Sequence, residues 1–382
     1  MFEFATAGRI VFGGGTLKEV APATASFGRR ALVVTGRDPN RATALLESLK
    51  SANVKGTTFS VAGEPTTQTV REGVQQARQA GCDVVIGFGG GSAIDSAKAI
   101  AAMITNTGDL FDYLEVVGKA QSLKDPPLPC IAVPTTAGTG AEVTRNSVLL
   151  SAEHRVKVSL RSPLMLPRIA IIDPELTFSL SRAVTASTGL DALTQVIEPY
   201  VSCRANPLTD SICIEGMTRA ARSLRRACEN GRDADAREDM SLASLCGGLA
   251  LANAGLGAVH GFAAPIGGMF DAPHGAVCAA LLPHAMDINV RALRERGNAT
   301  TLQRFEVVAR ILTSRPQATA DEGVEWIKEL CAALDIPPLR ACGIHEKHVS
   351  ELCDKAGVAS SMKANPIVLT RDELRELLER AL

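Results

Sequence analysis

The chain has 382 residues, more than a single hydrophobic core ordinarily serves, so two domains are expected. With 40 basic and 41 acidic residues the formal net charge is −1, which argues against a nucleic-acid or anionic-membrane surface. Apolar residues make up 46% of the sequence, yet no apolar run approaches ~20 residues, so no segment is expected to span a bilayer.

Residues 1–15 lack the charged start, apolar centre and small-residue cleavage site of a secretory signal. Short β-branched runs then alternate with helical patterns, which predicts a parallel α/β sheet. Strands are expected at Ala31–Thr35, Thr57–Val61, Asp83–Phe88, Pro129–Val133 and Arg168–Ile172. Helices are expected at Asn40–Lys50, Thr67–Ala80 and Ser92–Ile104. After Asp173-Pro174 strand signals vanish, and Ala, Leu, Glu and Arg dominate. Helices are predicted over Thr209–Cys228, Ala236–Ala254, Thr301–Leu312, Asp321–Leu334, His345–Ala356 and Arg371–Leu382. The last is announced by Thr370 and Glu373 at capping-box spacing. The expected organisation is an α/β domain over 1–177 and an all-helical domain over 178–382, with the ligand cleft between them. Ten cysteines are scattered without a C-x-x-C pair, which reads as reduced, packed thiols in a cytoplasmic enzyme.

Two loops carry phosphate-binding chemistry. Gly89-Gly90-Gly91-Ser92 follows a strand and opens a helix; glycines allow close backbone approach, and free N–H groups with the macrodipole attract pyrophosphate. Ser92 is expected to cap that helix, with Asp95 at its third position. A plain capped turn would use the same residues, and the G-x-G-x-x-G fingerprint is absent. The second loop, Pro134–Glu142, presents Thr135, Thr136 and Thr139 to a ribose or nicotinamide amide. Gly36-Arg37-Asp38 closes the first strand, where an acid reads a ribose hydroxyl and an arginine reads a 2′-phosphate. Arg37 comes first and favours NADP; Asp38 keeps NAD open.

In the helical half, Asp191 and Gln195 are four apart on one helix face. His260 starts another helical turn, and His274 lies in the turn Asp271–Gly275. Two imidazoles and one carboxylate are the ingredients of an open divalent-metal site. Glu198 reads as a helix-face acid or a support for a ligand. His154, His284, His345 and His348 read as surface or core-edge histidines.

The motifs 89-GGGSAIDSAK-98, 134-PTTAGTGAE-142, 188-TGLDAL-193 and 273-PHG-275 resemble those of the iron-type (group III) alcohol dehydrogenases. That family shares its fold with glycerol dehydrogenase and dehydroquinate synthase. The likeness runs from Arg9–Gly13 to Asn365–Thr370. It implies a nicotinamide-dependent oxidoreductase acting on a small alcohol, aldehyde or keto acid, and a homodimer. Gly89, Gly90, Gly91 and Ser92 would hold the pyrophosphate of NAD or NADP, Asp95 would lie near the nicotinamide, and Lys157 would reach the ribose.

The family's metal is held by one aspartate and three histidines, at positions occupied here by Asp191, Gln195, His260 and His274. Two departures stand out. Gln195 replaces a ligand histidine, and an amide oxygen is a weaker donor for iron or zinc. Ala264 replaces a histidine that many members carry one turn after His260. Three readings follow: Asp191, His260 and His274 suffice; Gln195 joins as a weak fourth ligand; or no metal binds, and His260 and His274 serve as donors to the substrate, as in the similar maleylacetate reductases. A bound metal would act as Lewis acid on the substrate oxygen. The competing activities are keto-acid reduction without metal, a dehydroquinate synthase-like lyase, and cofactor binding without turnover. The absence of Lys and Arg from 250–280 speaks against a phosphorylated substrate. Phe262, Ile266, Met269 and Phe270 are expected to wall the substrate pocket.

Overall fold

The computed structural model describes all residues, Met1–Leu382. The chain divides into two units, one of Ala5–Thr136 and Gly140–Phe178, the other of Met1–Phe4, Ala137–Thr139 and Ser179–Leu382.

The first unit is built on strands β1 (Ile10–Phe12), β2 (Arg30–Thr35), β3 (Lys55–Ser60), β4 (Val84–Gly89), β5 (Cys130–Pro134) and β8 (Ile169–Ile172). They pair in parallel in the order β1-β8-β5-β4-β2-β3. The central strands are apolar on both faces because helices cover both. Ala31, Val33, Val84 and Ile86 face α1 (Val20–Ala25) and α2 (Thr43–Ser51). Leu32, Val34 and Val85 face α3 (Thr67–Ala80) and α4 (Gly91–Thr105). The antiparallel hairpin β6 (Asn146–Ser151) and β7 (Val156–Arg161) packs Leu149, Val158 and Leu160 into the α4 side.

The second unit holds helices α5 (Arg182–Val201), α6 (Pro207–Glu229), α7 (Ala234–Ala254), α8 (Ala258–Met269), α9 (His274–Glu295), α10 (Ala299–Thr313), α11 (Ala320–Ala333), α12 (Val349–Val358) and α13 (Arg371–Ala381). They share one core, in which Leu190, Leu193, Phe262, Ile266, Leu281 and Phe305 are buried. Start signals set several boundaries. Asn206 caps α6 just ahead of Pro207, and Thr370 with Glu373 forms the expected capping box of α13. No single helix is long and apolar enough to cross a membrane. A parallel α/β sheet followed by an all-helical part is thus the architecture of the chain.

Several expectations need correction. Strand β1 and the β6–β7 hairpin carried no recognised strand signal. The expected helix over 40–50 opens as a 3-10 turn, Pro39–Ala42, because Asp38 accepts the Asn40 N–H and Pro39 fixes the turn. The expected helix over 345–356 likewise begins with the 3-10 turn Glu346–His348. Ser92 does not cap α4: the N-cap is Gly90, no side chain caps the helix, and Ser92 lies inside it.

Candidate active site

The glycine loop comes at the end of the buried strand β4. Gly89 sits at φ +159°, and an added Cβ would come within 2.6 Å of the Ala93 side chain, so only glycine lets the chain turn directly into α4. The start of α4, with no side chain over its first N–H groups, suits an anion. Thr135 is buried, and its N–H donates to Gly89 O, which locks the two loops together. The Thr136 side chain lies against Gly90. Thr139 falls in the 137–139 segment of the other unit.

Behind this loop lies a cation that the sequence alone did not single out. Lys98, fully buried on α4, donates to Ala141 O and Thr144 Oγ1, both at 2.9 Å, and to Asn146 O. It also pairs with Asp95 Oδ1 at 2.9 Å. Asp95 Oδ2 accepts the Val148 N–H. Asp95 is therefore tied down by Lys98 and β6. Lys157 on β7 pairs with Glu64 at 3.0 Å. Beyond β2, the exposed Arg37 donates from Nε and Nη2 to Ala62 O, and Asp38 caps its turn. Gly36 lies between them and the strand. Glu142, buried near Lys98, has its carboxyl pushed up to about 7 by burial.

The second cluster is assembled from α5, α8 and α9. Asp191 comes from the middle of α5, His260 from the first turn of α8, and His274 from the first residue of α9 rather than from a turn. Gly275 makes the last placement feasible: a Cβ there would come within 2.7 Å of Ser187 O on α5. Asp191 Oδ1 lies 3.4 Å from His260 Nε2 and 3.7 Å from His274 Nε2. That oxygen is buried and has no hydrogen-bond partner. On the far side of His260, Glu198 Oε2 lies 2.7 Å from Nδ1, while Oε1 accepts the Val259 N–H at 2.7 Å. A carboxylate at Nδ1 holds a proton there, so Nε2, which faces Asp191, is the nitrogen that can ligate once a cation displaces its proton. Glu198 thus takes the supporting role, one helical turn and three residues beyond the aspartate.

Cys278, one turn after His274 on α9, brings its Sγ to 3.6 Å from His274 Nε2 and 3.8 Å from His260 Nε2. Cys278 is packed in the helical core, as expected of the cysteines, and its sulfur also borders both imidazoles. The donor atoms of Asp191, His260, His274 and Cys278 all lie within 4.8 Å of one another. Gln195 is buried one turn after Asp191 and donates from Nε2 to Gly138 O at 2.9 Å, joining α5 to the 137–139 segment. Ala264 sits on α8, part-buried. Of the expected pocket walls, Phe262 and Ile266 are fully buried in the helical core; Met269 and Phe270 are part-buried, and Phe270 meets the His348 ring edge-on.

Charge follows geometry. Burial alone would raise the Asp191 carboxyl, but His274 and His260 outweigh it and hold it below the ordinary value. Burial would depress both imidazoles. Cys278 and Asp191 raise them instead, with Glu198 adding to the effect at His260. An orphaned buried carboxylate oxygen flanked by two directed imidazole nitrogens fits a divalent cation, which would occupy the space that protons must otherwise neutralise.

The pattern described as iron-containing alcohol dehydrogenase matches residues 7–174, and its C-terminal counterpart, Fe-containing alcohol dehydrogenase family, C-terminal, matches residues 185–382. The chain belongs to the iron-containing alcohol dehydrogenase family. Alcohol dehydrogenase 4 of Schizosaccharomyces pombe is 36% identical over 382 residues, covering 97% of this chain and 87% of that one. A crystal structure of 1,3-propanediol oxidoreductase superposes with a TM-score of 0.93 at 33% identity, covering 100% of both chains. The sulfoacetaldehyde reductase of Bifidobacterium kashiwanohense, solved in complex with NAD+, gives 0.86 at 27% identity, covering 99% of this chain and 98% of that one. The protein is therefore an alcohol dehydrogenase, a nicotinamide-dependent oxidoreductase that interconverts a small alcohol and its carbonyl compound. In this dehydrogenase Asp191, His260, His274 and Cys278 converge, with Glu198 behind His260.

Proposed function

We propose that Asp191, His260 and His274 hold a divalent metal, iron or zinc, against which the dehydrogenase binds the oxygen of a small alcohol or aldehyde. The observation that carries this reading is the buried, partnerless Asp191 Oδ1 between two imidazole Nε2 atoms at 3.4 and 3.7 Å. When bound, such a metal supplies Lewis-acid polarisation that lowers the alcohol's pKa and activates the carbonyl in the reverse direction.

The chain's own groups do the rest. Glu198 keeps a proton at His260 Nδ1, so the opposite nitrogen, which faces the site, is the one that can ligate. Asp191 supplies the only carboxylate in the cluster. The bare start of α4 at Gly89–Ser92 binds the pyrophosphate, and Thr135, Thr136 and Thr139 line the rest of the dinucleotide. Lys98 and Asp95 support that loop from behind, and Lys157, held by Glu64, stands at the ribose. Arg37 selects NADP by pairing with its 2′-phosphate, its guanidinium being fixed by Ala62 O. The segment 250–280 has no Lys or Arg, which suits a neutral alcohol or aldehyde better than a keto acid. All ten cysteines are free, which fits a reducing cytoplasm.

The test is to strip the enzyme of metal and assay it on a panel of alcohols and aldehydes with NAD and NADP, before and after adding back zinc or ferrous iron. Turnover should vanish on stripping and return on reconstitution. Full activity in verified metal-free protein would end this reading.

A further inference from the structure

We infer that the thiolate of Cys278 is the fourth protein ligand of the metal, standing in for the ligand lost at Gln195, and that the site is thereby tuned to a thiophilic ion such as zinc. This rests on the metal reading above and adds to it a residue outside the Asp191, Gln195, His260 and His274 set.

The argument is geometric. Around a tetrahedral ion with bonds of about 2.0–2.1 Å to nitrogen or oxygen and about 2.3 Å to sulfur, neighbouring donors are separated by roughly 3.3–3.6 Å. The separations here are 3.4 Å from Asp191 Oδ1 to His260 Nε2 and 3.7 Å from Asp191 Oδ1 to His274 Nε2. They are 3.6 Å from Cys278 Sγ to His274 Nε2 and 3.8 Å from Cys278 Sγ to His260 Nε2. Four of the six edges of a tetrahedron are thus within a few tenths of an ångström of those a metal would impose, and the remaining two stay within 4.8 Å. A thiol hydrogen-bonded to the two imidazoles would show the same two sulfur–nitrogen distances, and the closed set of four donors is what favours ligation.

Local structure places it there. His274 and Cys278 are one turn apart on α9, so both side chains project from the same face. Cys278 is wholly buried, and Asp191 Oδ1, the donor it accompanies, has no other partner. Gln195, by contrast, spends its amide nitrogen on Gly138 O, and an amide oxygen is a weak donor beside a thiolate. Exchanging an imidazole for a thiolate makes the donor set softer and more negative. That shifts preference from ferrous iron towards zinc and its cobalt surrogate. With four protein donors, catalytic zinc would still be able to polarise a substrate oxygen by expanding its coordination.

The test uses the intact protein loaded anaerobically with cobalt(II) or with zinc. The cobalt enzyme should show a near-ultraviolet thiolate-to-cobalt charge-transfer band that Cys278→Ser lacks. X-ray absorption of the zinc enzyme should show one sulfur at about 2.3 Å, a measurement that needs no variant. A metal-loaded wild type with neither the band nor the sulfur shell would overturn the assignment of Cys278 while leaving the metal site standing. A band that persists undiminished in Cys278→Ser would overturn it as well. A wild-type protein that takes up no stoichiometric metal would overturn both this inference and the reading beneath it.

Discussion

Replacing Glu198 with glutamine isolates the contribution of a residue that touches neither substrate nor metal. Glu198 is buried and accepts two short hydrogen bonds, from His260 Nδ1 and from the Val259 N–H, both at 2.7 Å. Glutamine keeps the volume but offers one acceptor and one NH2 group. If its oxygen keeps Val259, its NH2 faces Nδ1, and the ring must move its proton to Nε2, the atom directed at Asp191. If it keeps His260, a buried backbone donor is stranded at about 1–3 kcal/mol. Losing such a support for a metal-binding histidine typically weakens metal affinity about 10- to 100-fold, or roughly 1.4–2.7 kcal/mol. Zinc affinity of Glu198→Gln, measured by competition with a chromophoric chelator, should fall in that range. The melting temperature of the metal-free protein should fall too. Affinity within twofold of wild type, in a folded variant, would refute the claim that Glu198 orients a metal-binding His260.

Other outcomes follow from the α/β unit. Lys98→Met removes the cation from a buried ion pair and leaves Asp95 and three oxygens unanswered, so stability should drop by about 3–5 kcal/mol in chemical denaturation. The Glu142 carboxyl is raised to about 7 in the fold from an ordinary 4.5. Its contribution is therefore full below pH 4.5 and lost as pH rises through 7. Relative to Glu142→Gln, the wild type should lose roughly 2–3 kcal/mol between pH 4.5 and 8, read from paired denaturation curves. Arg37→Ala should lower kcat/KM with NADP about 10-fold or more while sparing NAD, since only NADP presents a charged partner at that position.

Much of the fold was legible because its signals were local. Strands β2, β4, β5 and β8 are near-continuous apolar runs, as burial on both faces demands. The β6–β7 hairpin was not, because β6 points Ser147 and Ser151 inward beside Leu149 and leaves Val148 and Leu150 part-exposed. That reverses the polarity an alternation reading looks for. β1 has three residues and too little pattern to read. At the site, Asp191, His260 and His274 were picked out by residue type and motif, and the fold brings all three together. Nothing in the local sequence sets Cys278 apart from the other nine scattered cysteines. Its spacing of four from His274 matters only if His274 opens a helix, and Pro273-His274-Gly275 looks like a turn until α5 is seen to demand a glycine at that contact. Ser92 misled for a different reason: a serine before an apolar helix is an ordinary cap, yet here Gly90 takes that position and the helix end stays bare.

The most direct measurement is anomalous diffraction from crystals of the zinc-loaded, catalytically active enzyme, recorded on both sides of the zinc edge. A zinc peak should lie within bonding distance, about 2.0–2.2 Å, of Asp191 Oδ1, His260 Nε2 and His274 Nε2. A stoichiometric zinc peak elsewhere in the molecule, with those three side chains bonded only to one another or to water, would contradict the account.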